Sequence, residues 1–175
     1  KGNKQLTNLA GCLRAISLLQ SKIPVTLNSI KNGIRDTKIN GRLQILSKQP
    51  YILADVAHNY DATINLYNFF STSKKSGKVY AVFSILENKN TEQVLMPFAD
   101  IVDEWFISEI KDNRAQKIDV IINTLKKYNN KVVISKFNTL DKAYENARNK
   151  SNLNDNIIIY GSFFAVSEIM KGIKI

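Results

Sequence analysis

The sequence predicts an α/β fold over most of its length, a mostly parallel sheet with helices on both faces, preceded by a short helical segment. Three observations predict it. From about residue 40 onward, short apolar runs alternate regularly with stretches whose apolar residues recur at helical spacing. Two of the runs, Val132-Val133-Ile134 and Ile157-Ile158-Ile159, are continuously apolar. That is the pattern of strands covered on both faces, and strands separated by helices imply parallel βαβ units. Finally, 175 residues at 44% hydrophobic and 23% charged can bury a core without covalent staples.

Asn8 to Leu19 places Leu9, Cys12, Leu13, Ile16 and Leu19 on one helical face, and Ser21-Lys22-Ile23-Pro24 ends it. Thr26 is suited to cap a second short helix, Leu27 to Asn32, with Gly33 near its C-terminus where positive φ is favoured. After Arg35 the period changes. Gly41 to Leu46 alternates like a half-buried strand carrying Arg42, and Tyr51 to Ala54 is a short apolar strand that stops at Asp55. Asp61 to Phe70 reads as a helix, Ser71 to Gly77 as a solvated loop, and Lys78 to Phe83 as a strand. Thr91 to Phe98 is helical, with Pro97 limiting its regular hydrogen bonding. Then follow a strand at Glu104 to Ser108, a helix at Lys117 to Tyr128, a strand at Lys131 to Phe137 and a helix at Leu140 to Arg148. Asn156 to Tyr160 is the last strand and Phe163 to Met170 the last helix.

One Cys and one His exclude a disulfide scaffold and a zinc cluster, so no metal ligands are expected here. Cys12, on an apolar face, is expected to fill a core. No apolar run approaches the roughly 20 residues of a membrane span, and the first residues lack the order of a signal peptide, so a cytoplasmic protein without a membrane partner is expected. The net charge of +10 comes from 25 Lys and Arg against 15 Asp and Glu. The lysines are dispersed, as at Lys74-Lys75, Lys126-Lys127, Lys142 and Lys171, so no nucleic-acid partner is expected. A positive field also suits a small polyanion. Neither Gly-x-x-x-x-Gly-Lys-Ser/Thr nor Gly-x-Gly-x-x-Gly occurs, so these residues do not cradle a triphosphate in the usual way.

In such sheets ligands bind outside the carboxyl ends of the strands. The residues there are Asp55 to Asn59, Ser84 to Lys89, Ser108 to Arg114, Asn138, and Gly161 to Phe163. Asp55-Val56-Ala57-His58-Asn59 joins a buried strand to a helix start, where backbone N–H groups and the helix dipole favour a phosphate. His58 is suited to donate to a phosphate oxygen or to orient a carboxylate, and Asp55 to face a ribose hydroxyl or a hydrated cation. Equally open is the reading in which Asp55 caps the helix and His58 is an exposed loop residue. Gly161-Ser162-Phe163 holds the corresponding place after the last strand, where Ser162 either caps the helix or binds a carboxylate. Arg42 reads as a surface arginine or, if it reaches the site, as a phosphate contact.

Gly41-Arg42-Leu43-Gln44, Asp55-Val56-Ala57-His58-Asn59, Ser84 to Asn90, Asp103-Glu104-Trp105-Phe106 and Gly161-Ser162-Phe163 occur in collinear order across essentially the whole chain. Together they resemble the C-terminal region of bifunctional dihydrofolate synthase/folylpolyglutamate synthase, a family of the Mur ligase superfamily. The resemblance implies a complete Rossmann-like domain over residues 40–175. Residues 1–39 would be the C-terminal helices of a central ATPase domain plus a linker. It also implies an ATP-dependent amide ligase that adds L-glutamate to dihydropteroate or folate polyglutamates through an acyl phosphate. The cofactors would be ATP and Mg2+, the ligase a monomer, and the phosphate loop and magnesium ligands would lie upstream of Lys1, leaving this chain inactive alone.

Carried over by residue, the resemblance makes Asn8 an adenine contact, Arg42 a catalytic contact to the ATP phosphates, and Asp55 a nucleotide contact. His58 becomes a catalytic and glutamate-binding residue, and Ser162 a glutamate-binding one. The sequence departs from the family pattern at Tyr60, at Asn88-Lys89-Asn90 and at Phe164. The alternative is a nucleotide- or phosphate-binding regulatory module of the same fold without ligase activity.

Overall fold

The computed structural model describes residues 3–37 and 39–172. The chain divides into two compact units between Asn40 and Gly41. The first holds helices α1 (Asn3–Leu19) and α2 (Leu27–Asp36). Thr26 caps α2 as its residue type suggests, its Oγ1 accepting the Ser29 N–H at 3.1 Å. The helix does not stop at Gly33. It continues to Asp36 and ends where the Thr37 N–H donates to the Gly33 carbonyl at 3.0 Å, since an interior glycine costs only about 1 kcal/mol. Cys12 is exposed, and no described residue of this unit from Gln5 to Thr37 is buried. Two helices enclose no core of their own, which corrects the expectation that Cys12 fills one.

The second unit is a six-stranded sheet with strands β1 (Gln44–Lys48), β2 (Tyr51–Ala54), β3 (Val79–Phe83), β4 (Glu104–Ser108), β5 (Val133–Phe137) and β6 (Asn156–Tyr160). Their order in space is β1-β2-β6-β3-β4-β5. β1 pairs antiparallel with β2, and every other pair is parallel. Helices α3 (Tyr60–Ser73), α4 (Thr91–Leu95) and α5 (Ile118–Tyr128) cover one face, and α6 (Leu140–Lys150) and α7 (Phe163–Gly172) the other. The last strand shows why both faces need cover. Ile158 and Tyr160 pack among Leu66, Phe70, Phe98 and Trp105, while Ile157 and Ile159 pack among Leu140, Ala143, Val166 and Ile169. Thus the mostly parallel sheet with helices on both faces is observed.

Four local expectations are corrected. Val132-Val133-Ile134 is not covered on both faces, because β5 lies at the sheet edge with β4 as its single neighbour, and Val133 is 52% exposed. Ser71 to Ser73 is helix rather than loop, since the Thr72 and Ser73 hydroxyls donate back to the Phe69 carbonyl at 2.9 and 2.8 Å. Gly41 to Leu43 is a turn before β1, with φ of +69° at Gly41 and +43° at Leu43, so Arg42 does not lie on a strand. α4 is shorter than Thr91 to Phe98. It gives way to a 3-10 turn at Met96–Phe98, as Pro97 requires.

At the amino ends of the strands, carboxylates and an amide secure the backbone. Asp103 accepts the Val79 N–H at 2.7 Å, Asp155 accepts the Lys78 N–H at 2.8 Å, and Asn156 accepts the Lys75 N–H at 2.6 Å. The buried polar groups of this end are thereby structural, and the site is to be sought at the opposite edge.

Candidate functional site

The carboxyl ends of β2, β6 and β3 meet at Gly161. Its N–H donates to the Ala57 carbonyl at 3.0 Å, and its φ is +112°. A Cβ there would lie 2.4 Å from the Ser84 carbonyl oxygen and 2.7 Å from the Phe83 ring, so no other residue fits without movement. The loops after β3 and β4 are tied to each other: Leu86 bridges Ala115, the Glu87 N–H donates to the Arg114 carbonyl at 2.8 Å, and the Gln116 N–H to the Ile85 carbonyl at 2.9 Å. The two loops therefore form one hydrogen-bonded shelf at this edge.

Arg42 sits exposed at the tip of the turn before β1. The turn is held at three points. The Gly41 carbonyl accepts the Val56 N–H at 2.8 Å, the Gly41 N–H donates to Gln44 Oε1 at 2.8 Å, and the Leu43 N–H donates to Asp55 Oδ2 at 2.8 Å. Leu43 is buried, and left-handed backbone at a non-glycine residue costs about 1–2 kcal/mol. These bonds offset that cost. Among the described residues the Arg42 guanidinium has no hydrogen bond or ion pair.

Asp55 is 4% exposed, at the end of β2. It does not cap α3; Asn59 does, its Oδ1 accepting the Ala62 N–H at 2.9 Å. Burial pushes the Asp55 carboxyl above its ordinary value, opposed by the Leu43 N–H, the Arg42 charge and the Ala57 N–H. A carboxylate whose folded pKa is raised contributes stability that is present below the unfolded pKa and is lost as pH rises through the folded one. Asn keeps the acceptor and removes the buried charge. Asp55→Asn is therefore expected to melt at or above the wild-type temperature at pH 7, and to remove that part of the pH dependence. Asp55→Ala, which leaves the Leu43 N–H unpaired, is expected to lose about 1–3 kcal/mol. Thermal melts of the three proteins between pH 4 and 8 check this, and wild type melting above Asp55→Asn at pH 7 would contradict it.

His58 is half-buried rather than a fully exposed loop residue. Its Nδ1 lies 2.8 Å from the Val56 carbonyl oxygen. A carbonyl only accepts, so Nδ1 carries the proton, and in the neutral ring Nε2 offers a lone pair. Donation from Nε2 to a phosphate oxygen thus requires the imidazolium, whereas the neutral ring accepts from an amine or ammonium. Ser162 is buried and caps α7, its Oγ accepting the Ala165 N–H at 2.9 Å; its hydroxyl proton is left to donate.

Sequence reasoning missed the contact beside Ser162. Phe164, in the first turn of α7, lies under the Arg114 guanidinium at 5.8 Å. Asp112 orients that guanidinium through Nε at 2.9 Å and Nη2 at 2.8 Å. Beside Arg114 the Asp112 carboxyl falls to about 2, so the pair's contribution is present above the ordinary carboxylate range and is lost as pH falls through about 2. No local pattern links residues 114 and 164. Asn8 is exposed on α1, in the other unit. Among the described residues no group of three His, Cys, Asp or Glu side chains comes together, and Asp55 is engaged by backbone N–H groups. The described residues do not fit a magnesium site, and no step below runs through one.

The fold and this edge define an α/β domain of the kind that binds ligands at the carboxyl ends of its strands, with an arginine and a histidine presented there. The sequence model of the Mur ligase glutamate ligase domain matches residues 41–163, and the chain belongs to that family. It is 31% identical over 97% of its length to the dihydrofolate synthase/folylpolyglutamate synthase of Buchnera aphidicola subsp. Baizongia pistaciae. It is 30% identical over 94% of its length to the one from Escherichia coli K12. It spans 38% and 37% of the lengths of these two relatives. Among solved structures, E. coli FolC in complex with DHPP and ADP superposes with a TM-score of 0.81 at 28% identity, covering 94% of this chain and 38% of that one. A bifunctional folylpolyglutamate synthase/dihydrofolate synthase with Mn, AMPPNP and L-glutamate bound gives 0.74 at 28% identity, covering 89% and 36%.

Proposed function

We propose that this chain is the C-terminal part of an ATP-dependent amide ligase that joins L-glutamate to dihydropteroate, to folate polyglutamates, or to both. ATP transfers its terminal phosphoryl group to a substrate carboxylate, giving an acyl phosphate and ADP. The glutamate amine then attacks the acyl carbon, the amide bond forms, phosphate leaves, and the amine releases a proton. The observation that carries the reading is the Arg42 guanidinium, exposed, without a hydrogen bond or ion pair among the described residues, and held on a tethered turn at the carboxyl edge of the sheet. Such a group neutralises charge developing on the transferring phosphoryl group, and phosphoryl transfer depends chiefly on this kind of electrostatic positioning.

His58 Nε2, as acceptor, is suited to hold the incoming ammonium and receive its proton, and Ser162 to donate to a glutamate carboxylate. Asn8 serves the adenine and Asp55 the nucleotide side of the site. Residues 1–39 belong to the upstream ATPase domain, which supplies the phosphate loop and the magnesium ligands, and domain closure brings Arg42 to the phosphates. The ligase acts in the cytoplasm as a monomer, in folate biosynthesis. No described helix is long and apolar enough to cross a membrane.

The test is glutamate- and folate-dependent ADP release by the ligase that carries this chain, with mass analysis of the folate product. One added glutamate per ADP supports the reading, and nucleotide binding without ligation supports the regulatory module instead. The 175 residues alone, lacking a triphosphate cradle, are expected to fold and to show no ATP-dependent ligation. Clear turnover by the purified chain in the same assay would contradict that division of labour.

A further inference from the structure

Asp112, Arg114 and Phe164 stand at the carboxyl edge without a part in the chemistry above. The first two lie in the loop after β4, and Phe164 lies in the first turn of α7, two residues after Ser162. The backbone at Arg114 is fixed on several sides. Its N–H donates to Asp112 Oδ1 at 2.9 Å and its carbonyl accepts the Glu87 N–H at 2.8 Å. The next residue, Ala115, bridges Leu86 and donates its N–H to the Asp112 carbonyl at 3.0 Å. A guanidinium carries five N–H donors in one plane. Arg114 gives two of them to Asp112 side-on, from Nε at 2.9 Å and Nη2 at 2.8 Å. No other hydrogen bond or ion pair engages the rest among the described residues. What remains includes the end-on fork, one N–H from each terminal nitrogen, which matches the two oxygens of a carboxylate. The Arg114 side chain is 54% exposed, so this fork is open to a ligand. Phe164 lies under the guanidinium at 5.8 Å and is itself 42% exposed, so the ring supports the arginine rather than the core. With acid and ring both holding the guanidinium, less side-chain freedom is lost when an anion binds.

L-Glutamate brings two carboxylates to the proposed reaction. The α-carboxylate stands on the carbon that bears the attacking amine, which confines it to the neighbourhood of His58 and Ser162. The side-chain carboxylate lies further out and needs a partner of its own. We propose that Arg114 is a specificity-determining residue of the ligase, its end-on fork taking the side-chain carboxylate of the incoming L-glutamate while Asp112 and Phe164 hold the guanidinium in place. The inference rests on the ligase reading above and adds to it the group that separates glutamate from glutamine. An amide turns an NH2 toward the fork in place of one acceptor oxygen, and a site built for the carboxylate then rejects it.

In the full ligase, Arg114→Ala is expected to raise KM for L-glutamate by about tenfold or more, the cost of a lost hydrogen bond to a charged group. Its kcat should stay within about threefold, and KM for ATP and for the folate substrate within about twofold, because the interaction lost is made equally in ground and transition states. Arg114→Lys should recover only part of the affinity, since an ammonium lacks the planar fork. Phe164→Leu should raise KM for L-glutamate by about threefold alone and add nothing in an Arg114→Ala background, because the ring acts through the arginine. An unchanged KM for L-glutamate in Arg114→Ala, or an equal rise for ATP, would overturn the proposal. A rise confined to folates with long glutamate tails would also overturn it and give the fork to the tail.

A second measurement needs no turnover. Phenylglyoxal modifies exposed guanidinium groups, and the Arg114 peptide of the ligase is followed by mass spectrometry with ADP present. Saturating L-glutamate is expected to slow modification of Arg114 by about fivefold or more, and L-glutamine at the same concentration by less than about twofold. Equal protection by both, or protection by neither, overturns the assignment. Protection by L-glutamate in a wild type that does not ligate it would count against the proposed function and leave the assignment of Arg114 standing.

Discussion

Replacing Arg42 by alanine is expected to lower kcat of the ligase that carries this chain by about a hundredfold or more, with the fold intact. The two halves of this expectation have separate causes. Removing a preorganised donor from a developing phosphoryl charge costs on the order of 3 kcal/mol in the transition state. Losing an exposed side chain with no bonded partner changes stability by within about 0.5 kcal/mol. Arg42→Lys should restore only part of the rate, because an ammonium lacks the planar fork that meets two phosphate oxygens at once. His58→Ala is expected to lower kcat similarly, through loss of the Nε2 acceptor that the Val56 contact orients. Steady-state kinetics with thermal melts separates rate from folding. Near-wild-type turnover of Arg42→Ala would remove this residue from the reaction.

Gly161→Ala is expected to be the most destabilising small substitution at the site, by about 3 kcal/mol or more, from positive-φ strain plus overlap. The added Cβ would meet a backbone oxygen at 2.4 Å and the Phe83 ring at 2.7 Å, and Phe83 lies packed against Tyr160 at 4.9 Å. Neither neighbour has an easy retreat. For a domain of this size the melting temperature should fall by about 6–12 °C. Gly33→Ala is the control: nothing lies within 4 Å of its Cβ position, and in a helix interior it should stabilise by about 0.5–1 kcal/mol. Melts of the 175-residue chain measure both. An unchanged melting temperature for Gly161→Ala would show that the three strand ends are not locked together at this residue.

The parts of the fold that were legible are those in which neighbours along the chain share one environment. The apolar runs of β2, β4 and β6 end where the structure ends them, because each run is broken by a residue unlike it: Asp55 after β2, Ser108 at the end of β4 and Gly161 after β6. β5 misled because an apolar run records affinity for a core and not a place within the sheet; Val133 at the edge reads like Ile158 at the centre. The rule that ligands sit at strand carboxyl ends led to Asp55, His58 and Ser162. Ser162 was legible as a cap of the last helix and is one, but the role of Asp55 in the fold was not, since its bond to Leu43 depends on β1 folding back antiparallel onto β2. A leucine at positive φ leaves no mark in sequence, and alternation alone placed Arg42 on a strand instead of a turn. The contact of Arg114 with Phe164 joins a loop to the first turn of α7 fifty positions away, beyond any periodicity.

In the role proposed for them, Arg42 and His58 serve amide formation through an acyl phosphate. The most direct test of that role uses a folate substrate whose reacting carboxylate carries heavy oxygen, turned over by the full ligase with ATP and L-glutamate. One labelled oxygen per turnover is expected to leave with inorganic phosphate, and Arg42→Ala to suppress its release. Phosphate free of label while the amide product accumulates would contradict that role.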